Sequence, residues 1–196
     1  MHDAFVGGWA QGSHLSIGTR GSLRDLNHQF LDLAATRTEW PAGRVASLSA
    51  AQREAVAACP YALFDLRFED DGHWLVRLQN SSSWQVADES AVDDSTSRFV
   101  RLALFYAWHV ASSAGFNAQL LLGMNGDTAA AFRRMSVNRL PALVLTEAKH
   151  LSARWSGCGA FWTALTAAAS GVDAGALRRV QLHGLQLAAA ARLPDP

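Results

Sequence analysis

Four residues within a short stretch, Arg133, Arg134, Asn138 and Arg139, have the chemistry of a nucleic-acid contact. Arginine suits both phosphate oxygens and guanine edges, and several arginines on one helical element give a surface that can follow a backbone. The competing reading is an ordinary helical hairpin whose basic face is simply solvated. Elsewhere the chemistry thins out. No glycine-rich phosphate loop, nucleophile elbow or paired-histidine metal motif occurs. The seven histidines, at 2, 14, 28, 73, 109, 150 and 183, never fall at metal-ligand spacing, so no metal and no cofactor are expected. Asp70 and Asp71 precede Gly72 and read as a turn rather than a catalytic pair. Cys59 and Cys158 are too few and too distant for a disulfide framework or zinc site, and fit idle thiols in a reducing compartment. The seven tryptophans are expected in the core. Arg67 beside Phe68, and Arg154 beside Trp155, repeat one placement and are read as structural, paired or stacked arginines. The sequence therefore points to a protein that is not an enzyme, with an active site assembled from distant residues as the least favoured alternative.

The elements that would carry these residues can be read locally. Phe116 to Leu140 reads as a short helix, a turn at Gly123 to Gly126 and a second helix capped by Asp127, which would bring the four candidate residues to one exposed region. Ser49 with Gln52 fits a capping box at a helix start, and Ser136 is expected to cap its helix alone, because Arg139 holds the partner position. Pro60 should terminate the first of these helices, whereas Pro141 sits near the start of the second, where proline is tolerated. After each helix the pattern switches to period two: Phe64, Leu66 and Phe68 alternate with Asp65 and Arg67, while Leu151, Ala153 and Trp155 alternate with Ser152 and Arg154. Such alternation predicts short extended segments.

These matched features belong to a longer self-similarity. Residues 49–74 align without gaps on residues 136–161, 87 positions later, pairing Ser49 with Ser136, Arg67 with Arg154 and Gly72 with Gly159. Helical stretches begin at Leu26 and Leu104, and a third similar one begins at Leu182. The first two lie 78 positions apart, so extra residues are expected in the second unit, between Gly115 and Met135. The organisation predicted is a flexible N-terminus over 1–22, a first helical unit over 23–80, an acidic connection over 81–97, and a second unit with a C-terminal helix over 98–196. The last residues should fray.

The second unit resembles the flagellar master-regulator subunit FlhD, the partner of FlhC in a bacterial transcription activator. The resemblance rests on the turn Leu122-Gly123-Met124-Asn125, the Ala-rich helix containing Ala129 to Ala131, Ser136 at the next helix start, and the closing Ala153-Arg154-Trp155. The first unit lacks the turn but fits the later positions with Ser49-Ala50-Ala51-Gln52 and Leu66-Arg67-Phe68. It covers about 50 residues of the second unit and about 45 of the first. What it implies is a mainly α fold of two FlhD-like units in tandem, a covalent version of the family's dimer, acting with an FlhC-like protein at promoters. Two departures are plain. The chain is much longer than ordinary members, and the cysteine they carry near the closing stretch is Phe64 in one unit and Leu151 in the other.

Composition agrees with a folded, helical chain. Of 196 residues 49% are apolar, ample for a core, and Ala and Leu predominate. Zero net charge hides an asymmetry: residues 1–96 hold 7 Arg against 13 acids, a balance of −6, while residues 97–196 hold 9 Arg and Lys149 against 4 acids, a balance of +6. The basic half either meets nucleic acid or an acidic partner, or pairs with the acidic half. Overall neutrality argues against strong DNA binding by the chain alone. No secretory signal pattern or membrane-length apolar run occurs, so the cytoplasm is the expected compartment and no membrane contact is expected. The expectation is a transcription regulator working through a protein partner, with homo-oligomers also allowed. The runner-up is an interaction module that does not touch DNA.

Overall fold

In a computed structural model, the residues described are 17–37, 45–79, 94–113, 115–171 and 173–190. The expectations for 1–16, for most of the acidic connection and for the last residues lie outside them. Among the described residues the chain is mainly helical, with one pair of very short strands. The order is α1 (Ile17–Ala35), α2 (Ala50–Ala57), β1 (Phe64–Asp65), α3 (Asp71–Gln79), α4 (Asp94–Ser113), α5 (Gly115–Leu122), α6 (Gly126–Arg134), α7 (Leu140–Ala148), β2 (Ser152–Ala153), α8 (Gly159–Ser170) and α9 (Ala174–Ala190). A 3-10 turn, Val137–Arg139, leads into α7.

Helix, helix, two-residue strand and helix occur in order as α1, α2, β1 and α3, and again as α4, α7, β2 and α8 with α5 and α6 between the first two. Two boundaries differ from expectation. Helix α1 opens at Ile17, inside the stretch expected to be flexible, because Leu23, Leu26, Phe30, Leu31 and Ala34 form one buried stripe whose packing outweighs the glycines near its start. Helix α4 opens at Asp94, before the expected end of the connection.

The caps were half legible. Ser49 and Gln52 close a complete capping box on α2. Ser136 makes no side-chain cap: the 3-10 turn stands between it and α7, and only its carbonyl takes part, accepting from the Arg139 amide at 3.0 Å. Pro141 lies in the first turn of α7, and α2 ends before Pro60.

The alternating segments pair with each other. β1 and β2 are antiparallel, with Phe64 opposite Ala153 and Asp65 opposite Ser152. Each is followed by a non-glycine residue in the left-handed region, Arg67 (φ 58°) and Trp155 (φ 53°). Each following helix then sends a tryptophan back to the turn: Trp74 Nε1 donates to the Arg67 carbonyl at 3.0 Å, and Trp162 Nε1 to the Arg154 carbonyl at 2.8 Å. The sequence alignment set Trp74 against Phe161, but the residues sharing a role are one position further on. A single apolar cluster runs from Leu23 through Phe64, Trp74, Phe99 and Phe132 to Leu165, so both halves share one core. Phe64 packs edge-on against Phe99 of α4 at 5.0 Å and tilted against Phe30 of α1 at 6.0 Å, which ties the strand pair to the two longest described helices.

Candidate functional site

The predicted hairpin is present as α5, a turn at Gly123 to Asn125, and α6. Gly123 has φ +77°, and a Cβ there would lie 2.6 Å from Arg154 Nη2, so both conformation and space require glycine. The start of α6 is not capped by Asp127, which lies in its first turn. Its cap comes from across the fold. Asp71 Oδ1 accepts from the Thr128 amide at 3.2 Å and its hydroxyl at 2.5 Å, and Oδ2 accepts from Asn125 Nδ2 at 3.1 Å. A carboxylate at a helix N-terminus satisfies free amides and opposes the helix dipole favourably. The other aspartate, Asp70, starts α3, accepting from the His73 amide at 2.8 Å. That bond, with the Arg67 ion pair second, holds its carboxyl below the usual aspartate range. Both aspartates are therefore structural in these contacts.

Helix α6 buries Thr128, Ala129 and Phe132, and Phe132 meets Trp74 edge-on at 4.8 Å. That fixes its rotation and leaves Arg133 and Arg134 exposed in its last turn. Trp108 of α4 anchors the exit by donating to the Met135 carbonyl at 2.9 Å. Asn138 is exposed and Arg139 half-buried. Arg134 and Arg139 share a groove of about 220 Å³ with Leu75, Leu78 and Met135. Asp127 forms part of the same wall, so the groove is not uniformly basic.

The two arginines assigned to structure differ. Arg154 is 3% exposed, donates Nη1 to the Leu121 carbonyl at 3.1 Å, and lies 4.6 Å above the Trp155 ring. It thus joins β2 to the end of α5. Arg67 is exposed and forms an ion pair with Asp70, with no comparable burial.

A cluster absent from the sequence reading lies between α3 and the end of α7. The Glu147 carboxyl is fully buried; its Oε2 lies 2.8 Å from His73 Nε2, and its Oε1 lies 3.4 Å from Arg77 Nε and 3.2 Å from Thr146 Oγ1. His150 completes the group, its ring 5.1 Å from that of His73. Ligand atoms of His73, Glu147 and His150 all lie within 4.8 Å of one another. Local spacing does not reveal the cluster, because His73 and Glu147 are 74 positions apart. Only Glu147 and His150, three apart at a helix end, could have hinted at it. Desolvation lowers the His150 pKa, favouring its neutral form.

A second groove, about 450 Å³, runs between α1 and α4. Leu102 and Phe105 are exposed along it, with Asp25 and His109 among its polar lining. No helix among the described residues is long and apolar enough to cross a membrane. Compared with protein-family models, curated proteins and solved structures, the chain has no match.

Proposed function

We propose that this chain is a non-enzymatic transcription regulator of FlhD-like type, two units fused in tandem, which acts at DNA together with a protein partner. The observation that carries the reading is the α5–α6 hairpin, whose buried face is fixed by Phe132 while Arg133 and Arg134 stand exposed at its end with Asn138 and Arg139 following. A rigidly positioned helix end bearing guanidinium groups suits phosphate contact. The tandem origin is supported by the repeated order of elements and by the strand register. Phe64 lies opposite Ala153 and Asp65 opposite Ser152, a reciprocal pairing of the kind a two-fold dimer makes.

The groove between α1 and α4, with exposed Leu102 and Phe105, is the apolar surface offered to the partner, an FlhC-like protein in this reading. The acid in the arginine groove and the overall neutrality are the reasons a partner is needed. Cytoplasmic action follows from the same reading.

The test is a salt series of duplex-DNA binding by the chain with its partner, isolated together from native lysate. If Arg133, Arg134 and Arg139 each neutralise one phosphate, they alone weaken affinity about 40-fold between 50 and 200 mM salt. Absence of DNA binding by the complex at low salt would reject the proposal in favour of an interaction module without DNA contact.

A further inference from the structure

We propose that His73, Glu147 and His150 bind one divalent transition-metal ion, with zinc the best fit. The inference does not depend on the DNA reading. Three donors converge: the His73 and His150 imidazoles and one carboxylate oxygen of Glu147, all within 4.8 Å. Zinc bonds to imidazole and carboxylate are about 2.0 to 2.2 Å, so two ligands of one ion lie at most about 4 Å apart. Closing the group from 4.8 Å to that limit requires a movement of about 1 Å. The observed 2.8 Å between His73 Nε2 and Glu147 Oε2 is already inside it.

The chemistry selects the ion class. Two nitrogens and one oxygen suit zinc, cobalt or nickel, whereas calcium and magnesium require mostly oxygen donors. The surroundings have the second layer such sites need. Thr146 Oγ1 and Arg77 Nε engage Oε1, which orients the carboxylate and leaves Oε2 facing His73. The Asp70 bond to the His73 amide fixes the first turn of α3 from which that histidine projects. Glu147 is also fully buried, where a carboxylate is retained only with paired charge or coordination. An ion here would join α3 to the end of α7 through three protein ligands, the fourth tetrahedral position falling to a non-protein ligand such as water.

The experiment titrates ZnCl2 into the EDTA-stripped full-length chain, reading stoichiometry by calorimetry and stability by thermal melting, with MgCl2 in parallel. Co2+ is then substituted and its visible d–d bands recorded. The expected result is one zinc per chain, a melting temperature raised by several degrees, no effect of magnesium, and tetrahedral-type Co2+ bands. His73→Ala and His150→Ala should each weaken zinc binding at least about tenfold, while His183→Ala, an exposed histidine on α9, should not. Since removing His73 strips the buried Glu147 of a partner, His150→Gln serves as the decisive variant if His73→Ala does not fold. No zinc binding by the wild type, or binding unchanged in the His150 variants, would overturn the proposal and leave Glu147 as the centre of a structural ion-pair group only.

Discussion

Cys59 and Tyr61 are buried side by side in the core, and burial raises the pKa of both acidic groups, the Cys59 thiol to about 12. A group held protonated in the folded state and free to ionise in the unfolded chain adds stability below its unfolded pKa and loses it above. Urea unfolding should therefore show stability falling from about pH 9 upward, by roughly 1 kcal/mol per pH unit at first. A flat profile between pH 8 and 11 would contradict this, and Cys59→Ala should soften the decline. In the native protein a thiol reagent should label the half-buried Cys158 and leave Cys59 untouched. Two glycines have equally specific roles. Gly184→Ala would drive a methyl into the Tyr61 ring, and Gly123→Ala would add backbone strain to a clash with Arg154. Each should cost about 1 to 3 kcal/mol by equilibrium unfolding, and a cost within error of zero would refute the packing described.

At the scale of elements, the hairpin bearing the arginines depends on α3. Asp71 holds the N-terminus of α6 from 57 positions away. Asp71→Ala should cost about 1 to 2 kcal/mol and speed amide exchange at Thr128, whereas Asp127→Ala should change stability little. Equal effects of the two would return the cap to Asp127. This contrast also shows what the sequence could convey. The Ser49 capping box, the proline placements, the Gly123 turn and the period-two segments are written in neighbouring residues, because local hydrogen bonding and backbone sterics decide them. The Asp71 cap and the Ser136 miss depend on what lies across the fold or on an intervening 3-10 turn. Residue spacing carries no record of either. The same limit hid the cluster of His73, Glu147 and His150, whose members come from α3 and the end of α7, while Arg133 and Arg134 were legible because one short helix carries both.

For the whole molecule, the two halves share one core and join through β1 and β2, so unfolding should be a single cooperative step. Separate transitions by tryptophan fluorescence and far-ultraviolet circular dichroism would mean the halves are independent. The first half supplies Asp71 to position the hairpin, and the second half presents it. Anisotropy of labelled duplex DNA, measured with the partner-bound chain at two salt concentrations, tests that arrangement most directly when wild type is compared with the variant carrying Arg133→Ala, Arg134→Ala and Arg139→Ala. The account predicts weaker binding by the variant and a log–log salt slope shallower by about 2.7, with melting temperature largely kept. Affinity and slope unchanged from wild type would contradict it.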